Sequence, residues 1–246
     1  YPGQSASEPK AGTRVYFMVG PRLVIVIPAH NEAQTIADVT KTAVSYGKVV
    51  VVDDCSSDLT AAIAKTSGAI VIQNKERLGY ECSLERGFKY AESCKAQAVI
   101  TLDADGEHNP DQIETFRKLL FDEHVQLVIG RRKKYQRWTE YILNGFVRFC
   151  YGAHDILCGM KGYHMSLYAK NGGFDHYQAA GAELAISGLM DQCVFKELNI
   201  SGEDRKGPPR YGGNFHANLK ILHALWRIVL MQICKKDYPY IFKSMF

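Results

Sequence analysis

The chain has 246 residues, of which 46% are apolar and 23% charged, and its formal net charge at pH 7 is +4. This composition excludes an intrinsically disordered chain, which needs fewer apolar residues and a larger net charge, and it excludes a collagen-like chain. No stretch reaches the roughly 20 consecutive apolar residues that a membrane-spanning helix requires, and the length suffices for one large domain or two small ones.

The amino-terminal segment differs in character from the rest of the chain. Residues 1–14 are polar, contain proline, glycine and serine, and do not begin with Met. They lack the apolar stretch of a signal peptide. Residues 1–20 are therefore predicted to form a flexible leader or to be a remnant of cloning, outside the folded part.

Short apolar runs alternate with longer stretches of helical periodicity from residue 22 to residue 130. The apolar runs predict β-strands at residues 23–28, 49–54, 69–73, 98–103 and 126–130. The stretches between them predict helices at residues 32–45, 59–67, 83–95 and 111–122. This alternation is typical of a mostly parallel sheet with helices on both faces, so the sequence predicts an α/β fold.

The pattern changes after Gly130, where basic and aromatic residues become frequent and a glycine-rich region follows. Because prolines and glycines break helices, residues 202–213 are predicted to form a basic loop. The other predictions are a helix at residues 138–151, a strand at residues 194–200 and an amphipathic helix at residues 219–233.

Acidic side chains follow two of the predicted strands. Asp53 and Asp54 close the second strand, and Asp103 and Asp105 close the fourth. Parallel strands end at a common edge, which is where open α/β sheets bind ligands. We therefore expect a ligand site at this edge, although turn and capping roles explain residues 56–58 equally well.

Asp103, Asp105 and Glu107 form a closely spaced acidic group. Carboxylates in this arrangement can direct oxygens at one hard cation, and Mg²⁺ and Mn²⁺ prefer such ligands. A cation held there neutralises a diphosphate as it leaves. An Asp-x-Asp triplet arises often by chance, but its place directly after a buried apolar strand favours a metal site.

Five segments resemble, in order along the chain, the motifs of family 2 inverting glycosyltransferases, which have the GT-A fold. Three of them are PAHNE at residues 28–32, VDDCSSDLT at residues 52–60 and DADG at residues 103–106. The other two resemble blocks of the branch that includes dolichyl-phosphate mannose synthase and other polyprenyl-phosphate glycosyltransferases. They are DILCGMKGY at residues 155–163 and PRYGGN at residues 209–214. The resemblance implies a single GT-A domain with a Rossmann-like, nucleotide-binding, mostly parallel sheet.

The resemblance also implies that the donor is a nucleotide diphosphate sugar, in which the sugar is linked to UDP or GDP. Pro28, Ala29 and Glu32 would line the nucleotide pocket, with Glu32 near the ribose. Asp54 would meet the base, and Gly79 would contact the same donor.

Asp103, Asp105 and Glu107 would, by the same resemblance, hold Mg²⁺ or Mn²⁺ and the donor diphosphate. Phosphate contacts are expected from arginine, whose planar fork suits phosphate oxygens. The candidates are Arg131, Arg132, Arg205 and Arg210. Asp105 and Arg132 are expected to act in catalysis together with Glu183, the candidate general base, for which Asp191 is the alternative.

The acceptor implied is a polyprenyl phosphate, such as dolichyl or undecaprenyl phosphate, or alternatively a glycan hydroxyl. A hydroxyl loses its proton as the new bond forms and needs a base such as Glu183. A phosphate monoester, with a second pKa near ~6, is mostly ionised at pH 7 and needs none. A sugar-phosphate nucleotidyltransferase is a remote alternative, because PAHNE stands where that class has a glycine-rich phosphate loop.

The GT-A catalytic domain is predicted at residues 21–218, followed by an amphipathic helix and tail at residues 219–246. The aromatic-rich helix at residues 138–151 and this last helix present apolar faces that either pack in the core or lie against lipid. The seven cysteines form no disulfide pattern, as in a reducing compartment. We predict a cytoplasmic protein with peripheral contact to the cytoplasmic membrane face, and the small net charge predicts no nucleic-acid partner.

Overall fold

The computed structural model describes residues 22–123, 125–174, 181–201 and 214–237. Within these ranges seven strands form one sheet. They are β1 (Leu23–Ala29), β2 (Lys48–Asp53), β3 (Ile70–Gln73), β4 (Ala98–Thr101), β5 (Leu127–Arg131), β6 (Lys161–His164) and β7 (Phe195–Asn199). Their order in the sheet is β3-β2-β1-β4-β6-β5-β7, and β6 runs antiparallel to both of its neighbours in an otherwise parallel arrangement.

Helices in the described part of the chain flank the sheet. They are α1 (Ile36–Ala43), α2 (Thr60–Thr66), α3 (Tyr80–Ser93), α4 (Ile113–Asp122), α5 (Trp138–Tyr151), α6 (Met165–Asn171), α7 (Glu183–Met190) and α8 (Asn214–Asp237). A 3₁₀ turn (Pro110–Gln112) precedes α4, and the Asn109 side chain caps it by accepting from the Asp111 N–H at 3.0 Å. The cap satisfies a backbone donor that would otherwise have no partner at the start of the turn.

The core consists of two apolar layers, one on each face of the sheet. Side chains of a strand point to alternate faces, so Val24, Val26, Val50 and Val52 pack with α3 and with residues of α5 to α8. Ile25, Ile27, Val49 and Val51 pack instead with α1, α2 and α4. Helices cover both faces of the sheet, which confirms the predicted α/β fold.

The strand β6 was not predicted from the sequence, which gave only a glycine-rich region between residues 152 and 181. Lys161–His164 contains no β-branched residue and lies among glycines, so its sequence carries no strand signal. The strand forms because it fills the gap between β4 and β5 and pairs with both. The helices α6 and α7, of 7 and 8 residues, were likewise not predicted in this glycine-rich region.

The helix α8 begins at Asn214, earlier than predicted, and packs against α5. Thr139 Oγ1 of α5 donates to Asn218 Oδ1 of α8 at 2.7 Å. The predicted division between residues 218 and 219 therefore falls inside α8. In the described part of the chain no helix combines the length and the apolar character needed to cross a membrane. The predicted leader at residues 1–20 and the loop at residues 202–213 lie outside the described residues.

The ends of β1, β2 and β4 meet at one edge of the sheet and position the acidic residues. The Asp54 N–H donates to the Ala29 carbonyl at 2.8 Å, just past the end of β2. On the other side of β1, the Leu102 N–H donates to the Val26 carbonyl at 3.0 Å, just past the end of β4. The two acidic segments therefore flank the end of β1.

Candidate functional site

A cavity of about 750 Å³ lies at this edge of the sheet. The predicted site residues that line it are Pro28, Ala29, Asp54, Gly79, Asp103, Asp105, Glu107 and Arg132. Its volume is within the range of roughly 300–1,000 Å³ that is usual for small-molecule sites. The fold thus brings most of the predicted donor-site residues around one cavity.

Asp54 holds the loop that leads into α3. Its carboxylate is 5% exposed, and Oδ1 accepts from Asn74 Nδ2 at 2.7 Å and from the Leu78 N–H at 2.8 Å. Oδ2 accepts from the Gly79 N–H at 2.8 Å. Gly79 has a φ of 96°, a conformation that glycine adopts without strain. Asp54 therefore fixes the backbone at the wall of the cavity from which α3 starts.

Asp103 is held from three directions. Its Oδ1 accepts from the Tyr80 hydroxyl at 3.1 Å, and its Oδ2 lies 3.4 Å from His108 Nε2. A Cβ on Gly159 would lie 1.8 Å from the same Oδ2, so the carboxylate lies directly against the backbone of residue 159. Burial alone would lower the pKa of His108, but its hydrogen bond to Asp103 and the nearby negative charges outweigh burial and raise that pKa.

The acidic group of Asp103, Asp105 and Glu107 offers carboxylate ligands to a divalent cation. Asp105 is 7% exposed and its Oδ1 accepts from the Glu107 N–H at 3.1 Å. Among the described residues no three His, Cys, Asp or Glu side chains converge into a metal-binding group, so Asp103, Asp105 and Glu107 do not form a three-ligand cage. Asp103 and Asp105, which both line the cavity, nevertheless fit Mg²⁺ or Mn²⁺. Mg²⁺ in particular is commonly bound by one or two carboxylates and completes its shell with water and substrate phosphates.

Arg132 lines the cavity, but buried carboxylates bind its guanidinium. Its Nε and Nη2 donate to Asp155 Oδ2 and Oδ1, both at 2.8 Å, and Nη2 also donates to Glu140 Oε2 at 2.9 Å. Burial alone would lower the pKa of Arg132, but the hydrogen bond and charge of Asp155 raise it well above its ordinary value. A phosphate contact by Arg132 would therefore have to use its remaining N–H groups.

Other predicted residues are not among those that line the cavity. Glu32 is 8% exposed, and its Oε2 accepts from Thr35 Oγ1 at 3.2 Å. Arg131 ends β5 and is exposed. Glu183 starts α7 and is 2% exposed. Burial, and then the charge of Glu183, raise the pKa of Tyr163.

The remaining candidates are the alternative base and two arginines of the predicted basic loop. Asp191, the alternative base, follows α7 and its Oδ2 lies 2.9 Å from Lys170 Nζ, and it is not among the residues that line the cavity. Arg205 and Arg210 lie outside the described residues. Their expected phosphate contacts remain predictions.

Several cavity residues were not assigned from sequence. Among them are Arg77, Tyr80, Arg137 and Lys220. Arg137 belongs to the basic run after β5, and its Nη1 lies 3.4 Å from Glu140 Oε1. Lys220 stands among apolar residues of α8, and Tyr80 directly follows Gly79. A polar residue on an apolar helix was the available signal for Lys220, but no sequence signal pointed Arg77 or Tyr80 toward the cavity.

Large apolar side chains are exposed on the two helices that border the cavity. Trp138 and Tyr141 of α5 are 59% and 56% exposed. Phe215, Leu219 and Trp226 of α8 are 76%, 56% and 55% exposed. Both helices also contribute cavity-lining residues, among them Glu140 and Ile221. We call these five exposed side chains the α5/α8 surface.

Comparison with known proteins gives a consistent family. The sequence model of glycosyl transferase family 2 matches residues 24–169. The UDP-N-acetylglucosamine–dolichyl-phosphate N-acetylglucosaminyltransferase of Methanococcus voltae is 28% identical over 131 residues, covering 46% of this chain and 52% of that protein. The polyprenol monophosphomannose synthase of Mycolicibacterium smegmatis is 25% identical over 170 residues, covering 61% of this chain and 64% of that protein. The chain spans about half the length of several of the curated relatives that it matches.

A solved structure resembles the whole described fold. It is the glucosyl-3-phosphoglycerate synthase of Mycobacterium tuberculosis in complex with Mn²⁺, UDP and glucosyl-3-phosphoglycerate. The TM-score is 0.63 at 20% sequence identity, over 93% of this chain and 86% of that one. At this identity the similarity establishes the shared fold.

Proposed function

Since the chain belongs to glycosyl transferase family 2 and has the predicted GT-A fold, we propose that it transfers one sugar from a nucleotide diphosphate sugar to a polyprenyl phosphate. The observation that carries this proposal is the composition of the cavity walls. Asp103 and Asp105 line the cavity, and α5 and α8, which carry the α5/α8 surface, contribute further lining residues. A polar donor and a lipid-borne acceptor need charged and apolar surfaces close together. The names of two relatives, a dolichyl-phosphate N-acetylglucosaminyltransferase and a polyprenol monophosphomannose synthase, support this proposal.

The donor is proposed to occupy the cavity along the strand ends. Pro28, Ala29, Asp54 and Gly79 would contact the nucleoside, with Glu32 nearby, and the base is that of UDP or GDP. Asp103 and Asp105, with Glu107 as a further ligand, would hold the cation. Bound there, Mg²⁺ or Mn²⁺ would supply positive charge to the diphosphate as it leaves.

The acceptor phosphate is proposed to lie where cations line the cavity near α5 and α8. Its oxygen attacks C1 of the donor sugar from the face opposite the diphosphate, and the new C1–O bond forms as the bond to the diphosphate breaks. The nucleoside diphosphate leaves with the electron pair. The cavity-lining residues proposed to hold the acceptor phosphate are Arg77, Arg132, Arg137 and Lys220, and contacts from Arg131, Arg205 and Arg210 stay predictions.

Contact with a membrane is proposed through the α5/α8 surface. The described cysteines are free thiols, as is usual in the reducing cytoplasm, so we place this contact at the cytoplasmic face. Leu219→Ser is expected to weaken binding to vesicles that contain anionic phospholipid by about tenfold, because burying a leucine side chain contributes roughly 1.5–3 kcal/mol. Vesicle co-sedimentation measures the change.

The matched control for this experiment is Leu59→Ser. Leu59 is 68% exposed, comparable with Leu219 at 56%, but lies just before α2. This variant should bind vesicles as well as the unchanged protein does. Equal binding by both variants, or no vesicle binding by the unchanged protein, would contradict the proposed membrane contact.

Glu183 distinguishes the two acceptor classes. With a polyprenyl phosphate acceptor, Glu183→Gln is expected to keep turnover within about tenfold, because an ionised phosphate needs no base. With a hydroxyl acceptor a base contributes roughly 10²–10⁴-fold, so the same change would nearly abolish transfer. Steady-state kinetics with both acceptors make the comparison, and Glu92→Gln on the exposed side of α3 serves as the control.

Transfer of labelled sugar tests the proposed function directly. The protein is incubated with UDP-glucose, UDP-N-acetylglucosamine or GDP-mannose, with Mn²⁺, and with undecaprenyl phosphate, undecaprenol or a soluble glycan as the acceptor. We expect label in the lipid fraction with the phosphate and none with the alcohol. Label in a glycan but never in lipid would instead support the hydroxyl-acceptor alternative, and release of sugar to no acceptor would contradict both.

A further inference from the structure

Tyr80 occupies a position between the two acidic strand ends. It is the first residue of α3 and directly follows Gly79, whose N–H is held by Asp54 Oδ2 at 2.8 Å. The loop clamped by Asp54 therefore fixes the position of the Tyr80 backbone. From there the side chain lines the cavity, and its hydroxyl donates to Asp103 Oδ1 at 3.1 Å.

The ring of Tyr80 is also fixed in place. A Cβ on Gly181 would lie 2.6 Å from Tyr80 Cε1 and 3.1 Å from Leu84 Cδ1. The ring thus lies directly against the backbone of residue 181, two residues before Glu183 at the start of α7. Close packing of this kind leaves the ring little freedom to turn, so the direction of the hydroxyl is determined by its surroundings.

The position of the Asp103 carboxylate depends on the residues that surround it. Gly159 leaves room for its Oδ2, His108 Nε2 lies 3.4 Å from the same oxygen, and Tyr80 donates to the other. Hydrogen bonds from neighbouring groups orient carboxylates that bind metals, and their loss commonly weakens metal binding by about 10–100-fold. The hydroxyl of Tyr80 is the contact that links this carboxylate to the loop clamped by Asp54.

We infer that Tyr80 is a positioning residue that orients the Asp103 carboxylate toward the divalent cation and couples nucleoside binding at Asp54 to cation binding at Asp103. Nucleotide binding against the clamped loop stabilises the start of α3, and this in turn holds the Tyr80 hydroxyl on Asp103. The inference rests on the proposed function, because it assumes that Asp103 takes part in holding a cation beside a nucleoside diphosphate.

Titration of Mn²⁺ into the protein with saturating UDP or GDP, followed by electron paramagnetic resonance, tests this inference. Tyr80→Phe removes the hydroxyl and keeps the ring, and it is expected to weaken Mn²⁺ binding by about tenfold or more. Tyr168→Phe is the matched control, because the Tyr168 hydroxyl also donates to a carboxylate, Glu85 Oε1, at 3.1 Å, and Tyr168 is not among the cavity-lining residues. The control should bind Mn²⁺ within twofold of the unchanged protein.

A double-mutant cycle with Asp103→Asn shows whether Tyr80 acts through Asp103. In that background Tyr80→Phe should add less than a twofold change in Mn²⁺ binding, because the shared contact is already altered.

Equal Mn²⁺ affinity of the unchanged protein and Tyr80→Phe, with the circular dichroism spectrum unaltered, would overturn the inference alone. No Mn²⁺ binding by the unchanged protein with either nucleotide would overturn both the inference and the proposed cation site. If Tyr80→Phe does not fold, Asp54→Asn takes its place in the cycle. If Asp54→Asn weakens Mn²⁺ binding as much in the Asp103→Asn variant as in the unchanged protein, the coupling is overturned.

Discussion

Replacing Asp105 with Asn is expected to lower the turnover of sugar transfer by roughly a thousandfold, which corresponds to about 4 kcal/mol of activation free energy. The change removes one of the two negative charges on the cavity wall that would hold a divalent cation against the leaving diphosphate. Cations in this role contribute several kcal/mol to stabilising the departing charge. Initial rates at saturating donor and acceptor measure the loss.

Asp38→Asn is the control for this change. Asp38 is an exposed carboxylate on α1 and is not among the residues lining the cavity, so its variant should retain full turnover. Near-normal turnover of Asp105→Asn, with unchanged dependence on added Mn²⁺, would show that Asp105 does not hold the cation.

Gly159→Ala is expected to lower turnover by at least about a hundredfold, or roughly 2.7 kcal/mol. The added Cβ would lie 1.8 Å from Asp103 Oδ2 and 2.4 Å from its carboxyl carbon, so the carboxylate has to move. The backbone has little freedom to withdraw instead, because Thr101 Oγ1 donates to the Gly159 carbonyl at 2.7 Å. Kinetics at several Mn²⁺ concentrations should show weakened use of the cation as well as slower turnover.

The control for Gly159→Ala is the same substitution at Gly145. Gly145 lies within α5, and a Cβ placed there meets no atom within 4 Å. Alanine in a helix is more favourable than glycine by about 1 kcal/mol, so this variant should be active and slightly more stable to thermal unfolding. Full activity of Gly159→Ala would mean that the position of the Asp103 carboxylate is not important for transfer.

The strands that carry the site were predictable because their residues are apolar on both faces. In β1, β2 and β4 most buried positions are apolar and many are β-branched, and the acidic residues at the ends of the second and fourth runs are equally visible. The strand β6 was not predictable in this way, because its pairing with β4 and β5 rather than its own composition makes it a strand. Local sequence patterns do not report such long-range pairing.

The directions of individual side chains were the least predictable part of the site. The position of Arg132 after β5 indicated a phosphate contact, but Asp155, 23 residues further along the chain, binds its guanidinium. Glu183 was predicted as the general base, yet it is 2% exposed and is not among the residues that line the cavity. Which partner a charged side chain finds depends on tertiary packing, and for the same reason the contact of Tyr80 with Asp103 became visible only in the structure.

Calorimetric titration of UDP and of GDP, each with Mn²⁺ and with a chelator, tests most directly whether the cavity at the strand ends is a cation-dependent nucleotide site. We expect one of the two nucleotides to bind at least about tenfold more tightly with Mn²⁺ than with the chelator, a difference of roughly 1.4 kcal/mol, and we expect Asp105→Asn to remove this difference. Binding of neither nucleotide, with or without Mn²⁺, would contradict the account.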